Sequence, residues 1–420
     1  MPIGKKFRIL SLDGGGSWAL IQAKALQKLF GDIPGRDILS HFDLAAATSG
    51  GAIVLGGLIE NKTPAELIAL FKDEETRQSI FYEVGWLDHF VDKTLETALR
   101  MGPRYSAGRK YSGLRKVFAG LGGTPLDQIS AQAWPGSGDN KLRLLITAFD
   151  YDRKKAVFFR SDTQSLAANF DTCKPPLLAE AVHASSNAPV NYFDLPALFP
   201  ASPSYANRRF WDGAIGGYNN PLLAAVTEVL SNPDWYQGGP QSIQALSLGT
   251  GQVSLPLGDH RLPQYPELIR HQESTGLIND LMELAQSIID DPPDSASFTA
   301  HVALGQPLPT KSDQIIANGC VVRLSPVVRP VLDKTSGGWA LPGWRKENPP
   351  LSIEEFEALT KLDMDAVKPE QVKLLEKLAD LWIEDIVPNQ GIRSDPDFNV
   401  RIGHGTFGEG MAAWNNLMGT

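Results

Sequence analysis

Apolar positions in this chain fall into short continuous runs that alternate with stretches of helical period, and glycine, proline or a small polar residue marks most of the boundaries. Phe7-Arg8-Ile9-Leu10-Ser11-Leu12 predicts a strand ended by Asp13 and Gly14-Gly15-Gly16. A helix is expected after it, with apolar residues at Leu20, Ile21, Ala25, Leu26 and Leu29. Phe42 to Thr48 predicts a short buried strand, and Gly50 to about Ile59 a helix of small residues. Thr63-Pro64-Ala65-Glu66 is a capping box with proline at the first helical position, opening a helix to about Ser79. Leu142 to Phe149 and Ala156 to Phe159 should pair across the charged turn between them. A helix is expected from about Leu177 to Ser185, and a short strand from Arg208 to Trp211 closed by Asp212-Gly213-Ala214. Asn220 reads as an N-cap with Pro221 at N1. Ser242 to Leu248 and Val321 to Leu324 complete the strands, the former ending in Gly249-Thr250-Gly251. Beyond about Pro326 come loops containing proline and tryptophan, then amphipathic helices near Ile353 to Leu362 and Pro369 to Ile386. A glycine-rich polar tail follows Pro388, and no internal repeat is visible. Strands interleaved with helices predict an α/β fold.

Composition narrows the class. The 420 residues are 42% hydrophobic and 21% charged, which suits a globular chain with a large core. A net charge of -9 argues against nucleic acid as a partner. One basic stretch, from Arg104 to Lys116, could meet phosphate head groups, although a solvated basic face is the expectation. Cys173 and Cys320 are the only cysteines, too few for a disulfide framework or a multi-cysteine zinc site, and fit a cytoplasmic, reducing location. A strand starting near Phe7 leaves no room for a signal peptide, and the longest apolar run, Ala45 to Ile59, is too short to cross a bilayer. The aromatic-rich segment Phe81 to Val91 is expected to be either a flap facing lipid or a packed connection.

The candidate chemistry lies at two strand ends. Ser49 follows a buried strand and opens a small-residue helix, the pattern of a nucleophile elbow, where Ala47 and Gly51 must be small because strand and helix nearly touch. A hydroxyl at a helix N-terminus favours developing negative charge. Gly14-Gly15-Gly16, between a strand and a helix, builds a nest of amides for an anion. A P-loop would continue with Lys-Ser/Thr, whereas here Ser17-Trp18 follow. Gly14, Gly16 and Ala19 do satisfy a dinucleotide fingerprint, but Asp13 would repel a pyrophosphate, and the second strand ends in Thr48-Ser49 instead of an acidic residue. An oxyanion is the anion preferred.

Taken together, Asp13-Gly14-Gly15-Gly16, Ala47-Thr48-Ser49-Gly50-Gly51, the block Ala184-Ser185-Ser186-Asn187-Ala188-Pro189-Val190-Asn191-Tyr192-Phe193, Asp212-Gly213-Ala214 and Ser247-Leu248-Gly249-Thr250-Gly251 resemble the patatin-like phospholipase family, in its order, over roughly residues 7 to 330. The resemblance implies a three-layer α/β/α sandwich on a mostly parallel sheet. It implies a serine–aspartate dyad with Ser49 as nucleophile and Asp212 as its base. Gly14, Gly15 and Gly16 would form the oxyanion hole, joined by the Gly50 amide on general elbow logic. The implied activity is hydrolysis of phospholipid or related acyl esters at a membrane surface through an acyl-enzyme, with no cofactor and no metal. Two departures stand out. Trp18 and Ala19 occupy places where the family usually has a basic residue and glycine, and Ala47 replaces the first glycine of the elbow.

Alternatives of other kinds remain at this stage. A Ser-His-Asp esterase would draw on His260, His271, His301 or His404, none of which sits in a recognisable motif. A protein kept chiefly for binding, or a membrane-degrading effector switched on by a signal or partner, would use the same fold. Residues 1–330 are read as the catalytic domain, and 331–420 as a helical and loop extension packed on the core.

Overall fold

The computed structural model describes residues 6–80, 105–135, 142–168, 174–189, 192–256, 268, 292–332, 339–341, 350–362, 366, 368–395 and 400–419. The central sheet contains β1 (Phe7–Leu12), β2 (Leu44–Ala47), β3 (Arg143–Asp150), β4 (Lys155–Arg160), β5 (Phe210–Asp212) and β6 (Ile243–Leu248). After two short strands, β7 (Gln252–Val253) and β8 (Ile315–Ile316), it is completed by β9 (Val321–Leu324). The order is β4-β3-β2-β1-β6-β9, with β5 also pairing β3. The β3-β2-β1-β6-β9 pairings are parallel, whereas β4 and β5 run antiparallel to β3. Helices α1 (Leu20–Phe30), α2 (Gly35–Leu39), α3 (Ser49–Ile59), α4 (Pro64–Lys72), α5 (Glu74–Ile80), α6 (Ala107–Val117), α7 (Leu126–Ala133) and α8 (Leu178–Ser185) alternate with the first strands. Further along come α9 (Leu222–Leu230), α10 (Pro292–Ala303), α11 (Ile353–Thr360), α12 (Pro369–Ile383) and α13 (Phe407–Met418).

Period-two alternation along the strands divides the core in two, since successive side chains point to opposite faces. Leu10, Leu12, Ala45, Ala47, Leu144, Ile146, Leu246 and Leu248 join a cluster with α1, α3 and α8. Phe7, Ile9, Leu44, Ala46, Leu145, Ile243 and Ala245 join a second cluster with α9 and α10. Both faces of the sheet are therefore covered, which is the condition for a parallel sheet and gives the three layers.

Several elements differ from the sequence reading. Pro221, not Asn220, is the N-cap of α9, because the Asn220 Oδ1 accepts the Leu222 N–H and the helix starts one residue later. The helix opened by Thr63 stops at Lys72, because Asp73 leaves helical geometry (ψ 121°) and its carboxylate accepts the Thr76 N–H at 2.7 Å, starting α5 as a new helix. The tail after Pro388 is not merely polar. Thr406 caps α13 by accepting the Glu409 N–H, Gly419 ends it at φ 77°, and Phe407 and Trp414 bury its inner face. The aromatic segment Phe81 to Val91 lies outside the described residues.

Candidate active site

The site sits at the carboxyl end of the parallel strands, on either side of the central strand β1, the usual ligand crevice of such sheets. Strand register explains how Ser49 and Asp212 meet. Ala47, the last residue of β2, pairs with Ile146, and Asp212 pairs with Ala148 two residues further along the same strand. Since β4 occupies the other edge of β3, β5 enters the lane that β2 vacates and runs back toward it. Two residues of strand span about 7 Å, so Ser49, just past the end of β2, faces the end of β5. The Ser49 side chain is close enough to the Asp212 carboxylate to oppose the effect of burial on it.

Ser49 holds φ at 50°, a left-handed conformation unusual for a residue with a side chain and characteristic of a strained corner. The corner is anchored from several sides. The Ser49 N–H donates to Ser185 Oγ at 2.9 Å, and Thr48 Oγ1 donates to the Tyr218 carbonyl at 2.6 Å. A Cβ on Gly51 would stand 2.5 Å from the Leu12 carbonyl oxygen, and one on Gly50 2.4 Å from that of Gly16. The helix thus starts with its backbone pressed against the end of strand β1 at Leu12 and against the glycine loop at Gly16, and these contacts demand small residues.

Asp212 is 3% exposed and Ser49 8%. Burial pushes the Asp212 carboxyl up to about 6, against the opposing pull of the Ser49 hydroxyl, the Ala214 N–H and the Lys110 ammonium. Ala214 N–H donates to Oδ1 at 2.9 Å, and the Asp212 N–H itself donates to the Asn187 carbonyl at 3.0 Å. The block from Ala184 to Phe193 therefore holds both partners, Ser49 through Ser185 and Asp212 through Asn187.

In the glycine loop, the Gly14 N–H differs from expectation. It donates to the Asn219 carbonyl at 2.8 Å, so it is engaged within the protein. A Cβ there would meet Asn219 Oδ1 at 2.2 Å, and one on Gly15 would meet Thr250 Oγ1 at 2.3 Å. Thr250 Oγ1 donates to the Gly14 carbonyl at 2.7 Å. Gly16 sits at φ 56°, which glycine adopts without penalty. Below the loop, Asp13 forms a buried ion pair with Arg323 of β9, whose guanidinium also donates to Ser247 Oγ at 2.9 Å. Burial raises the Asp13 carboxyl to about 6 despite that partner.

The two described candidate histidines, His301 and His404, hydrogen-bond elsewhere in the protein. His301 Nε2 bonds the Pro307 carbonyl at 2.8 Å, and the His404 carbonyl accepts Asn389 Nδ2. His260 and His271 fall outside the described residues. Among the described residues, no group of three or more His, Cys, Asp or Glu side chains could hold a metal ion. Sequence reasoning missed Lys110. Arg109, Arg115 and Lys116 are exposed as a basic face would be, but Lys110 is fully buried. The signal was present, because Ala107, Lys110 and Leu114 share the buried side of α6 at helical spacing.

With this geometry in place, the comparisons are direct. The patatin-like phospholipase family model matches residues 10–226. This chain belongs to that family. A cGAMP-activated phospholipase of Pseudomonas aeruginosa is 29% identical over 226 residues, covering 53% of this chain and 56% of that protein, so the match spans little more than half of the relative's length. Among solved structures, VipD from Legionella pneumophila overlaps at a TM-score of 0.37 with 11% identity, over 99% of this chain and 74% of VipD. The type III effector ExoU overlaps at 0.23 with 14% identity, over 71% of this chain and 53% of its own. Ser49 and Asp212 both lie within the matched residues, and no described helix is long and apolar enough to cross a membrane.

Proposed function

We propose that the chain is a lipid acyl hydrolase of phospholipase A type, using Ser49 as nucleophile and Asp212 as its base. The observation that carries this reading is the placement of the strained, helix-opening Ser49 beside a buried carboxylate whose proton affinity burial has raised. An ordinary aspartate near pKa 4 is a poor base for serine. A carboxyl near 6 narrows that gap while remaining ionised at neutral pH.

In the reaction, Asp212 takes the Ser49 proton as the serine oxygen bonds to the ester carbonyl carbon. The carbonyl oxygen becomes an oxyanion received by the Gly15, Gly16 and Gly50 amides. Gly14 is left to brace the loop, consistent with its N–H bond to Asn219. Collapse breaks the bond to the alcohol or lysolipid, which leaves with the proton from Asp212. Water, deprotonated by the same carboxylate, then cleaves the acyl-enzyme to release fatty acid and restore Ser49. Losing one oxyanion donor typically lowers rate by about 100- to 1000-fold, so the loop contributes on the scale of the dyad.

A switched form of the same activity has its own support. The matched relative is described as cGAMP-activated, and the Ala366 N–H donates to Ser17 Oγ at 2.6 Å, joining the C-terminal region to the glycine loop. A bound signal that moved the C-terminal region would reach the oxyanion donors through this contact. The enzyme would then act peripherally at membranes only when triggered.

Fluorophosphonate labelling of the native chain, Ser49→Ala and Asp212→Asn, paired with fatty-acid release from phosphatidylglycerol vesicles, tests the core reading. Labelling and release are expected in the native chain, survive chelator, and disappear in Ser49→Ala. Persistent labelling of Ser49→Ala moves the nucleophile elsewhere. Release that needs added cyclic dinucleotide identifies the switched form.

A further inference from the structure

Lys110 is a fully buried cation whose hydrogen-bond acceptors are neutral. Its Nζ donates to the His183 carbonyl at 3.1 Å and to Asn187 Oδ1 at 3.2 Å, and lies 4.1 Å from the centre of the Phe193 ring. Both hydrogen bonds fall on α8 and the turn after it. The same turn supplies Ser185 Oγ to the Ser49 N–H and the Asn187 carbonyl to the Asp212 N–H. Asn187 is pinned further by its Nδ2, which donates to the Leu195 carbonyl at 2.8 Å.

We propose that Lys110 is a positioning residue of this site: its ammonium clamps the turn that holds Ser49 and Asp212 in register, and its charge balances the Asp212 carboxylate. The inference rests on the dyad reading above. Burying an ammonium is costly unless an opposite charge and hydrogen bonds offset it. Burial drives Lys110 well below the ordinary lysine range, and the opposing influence is Asp212. Conversely, Lys110 is one of the groups holding the Asp212 carboxyl down against burial.

The other charged and titratable groups around these elements do not replace it. Arg77 of α5 donates to the Phe71 carbonyl, and Glu180 of α8 accepts the Leu177 and Ala201 N–H groups. Asp150 at the end of β3 is paired with Arg208. Tyr111 and Arg115 lie on α6 itself, Tyr111 against the His183 ring. His183 is kept neutral by burial and by the Lys110 charge. Among the described residues, Lys110 is thus the cation coupled to Asp212.

The test compares Lys110→Gln, which keeps a donor of similar reach but no charge, with Lys110→Met, which removes both. Rates of ester hydrolysis and of fluorophosphonate labelling are followed against pH, with Ser49→Ala as control and thermal unfolding to confirm folding. In both variants the acid limb of kcat/KM should move to higher pH, because the Lys110 charge helps hold the Asp212 carboxyl down. Lys110→Met should also lose about 10- to 100-fold in kcat from misplacement of the dyad, with Lys110→Gln recovering part of it. A purely structural lysine would lower activity or stability without moving the acid limb. An acid limb in Lys110→Gln that overlays the native one overturns the inference. Should Ser49→Ala still label, the dyad reading fails first; labelling that needs Ser49 with an unmoved limb defeats the Lys110 role alone.

Discussion

Asp212 combines two demands that pull against each other. As the proposed base, its carboxyl must ionise to accept a proton, yet it is buried beside a hydroxyl, an amide and Lys110, and burial wins to the extent of raising it to about 6. The dependence of kcat/KM on pH should therefore rise through an apparent pKa of about 6 and level off above it. A limb near the ordinary carboxyl range of about 4 would contradict this assignment. The stability consequence has the opposite sense from that of a salt-bridged aspartate. A raised folded-state pKa means the native protein binds the proton more tightly than the unfolded chain. Stability from this group is thus present below the unfolded value of 3.8 and is lost as pH rises through about 6. Asn at this position can still accept from the Ala214 N–H and the Ser49 hydroxyl. Asp212→Asn should be inactive but more stable at pH 7.5, by up to about 3 kcal/mol, with the gain gone near pH 4. Urea denaturation at the two pH values measures it, and an aspartate variant that is no more stable at neutral pH removes burial as the cause.

At the level of elements, the start of α3 is pressed against the end of β1 and the glycine loop. Gly51→Ala places a methyl 2.5 Å from the Leu12 carbonyl and 2.6 Å from that of Asp13, both backbone atoms that cannot swing aside. The cost should be about 1–3 kcal/mol, and the displaced loop should slow fluorophosphonate labelling. Gly108→Ala on α6, where a Cβ meets nothing within 4 Å, should instead stabilise by up to about 1 kcal/mol and leave labelling unchanged. Equal effects of the two would mean that helix propensity, not contact, governs the joint. The same joint shows what sequence can and cannot reveal. The strands β1 and β9 and the corner at Ser49 were legible because turn chemistry and apolar runs agree there. The reason for the paired glycines was not, since it lies in Leu12, Asp13 and Gly16, at the end of β1 and in the turn after it. The break at Asp73 depended on a single side chain choosing the Thr76 amide over continued helix, and α13 hid its inner face behind glycines and asparagines. Lys110 was masked by its charged neighbours, although its spacing from Ala107 and Leu114 placed it on the buried stripe.

For the whole molecule, the question is whether residues after 330 form a separable unit. α12 lies along α1, tied by Lys24–Asp380 at 2.6 Å, and Lys72 of α4 reaches Glu376 at 2.9 Å. Exposed pairs of this kind contribute little by themselves. The apolar contacts weigh more. Trp382, Phe407 and Trp414 are buried in the same cluster as the strand residues behind the site, and Trp414 stacks on Phe42 ahead of β2. Asn389 is the polar joint: its Oδ1 accepts the Ser325 N–H and Trp382 Nε1, and its Nδ2 donates to the Arg323 and His404 carbonyls. Arg323 in turn holds Asp13 at the root of the glycine loop. A chain ending at Pro330 would strip this cover from α1 and β9 and should fail to fold or to label. Asn389→Ala leaves several buried groups unsatisfied and should cost on the order of 3 kcal/mol, lowering one unfolding transition as a whole. Calorimetry that resolves two transitions, with only one of them moved by Asn389→Ala, would instead make the C-terminal region a unit of its own, free to detach from the loop it braces.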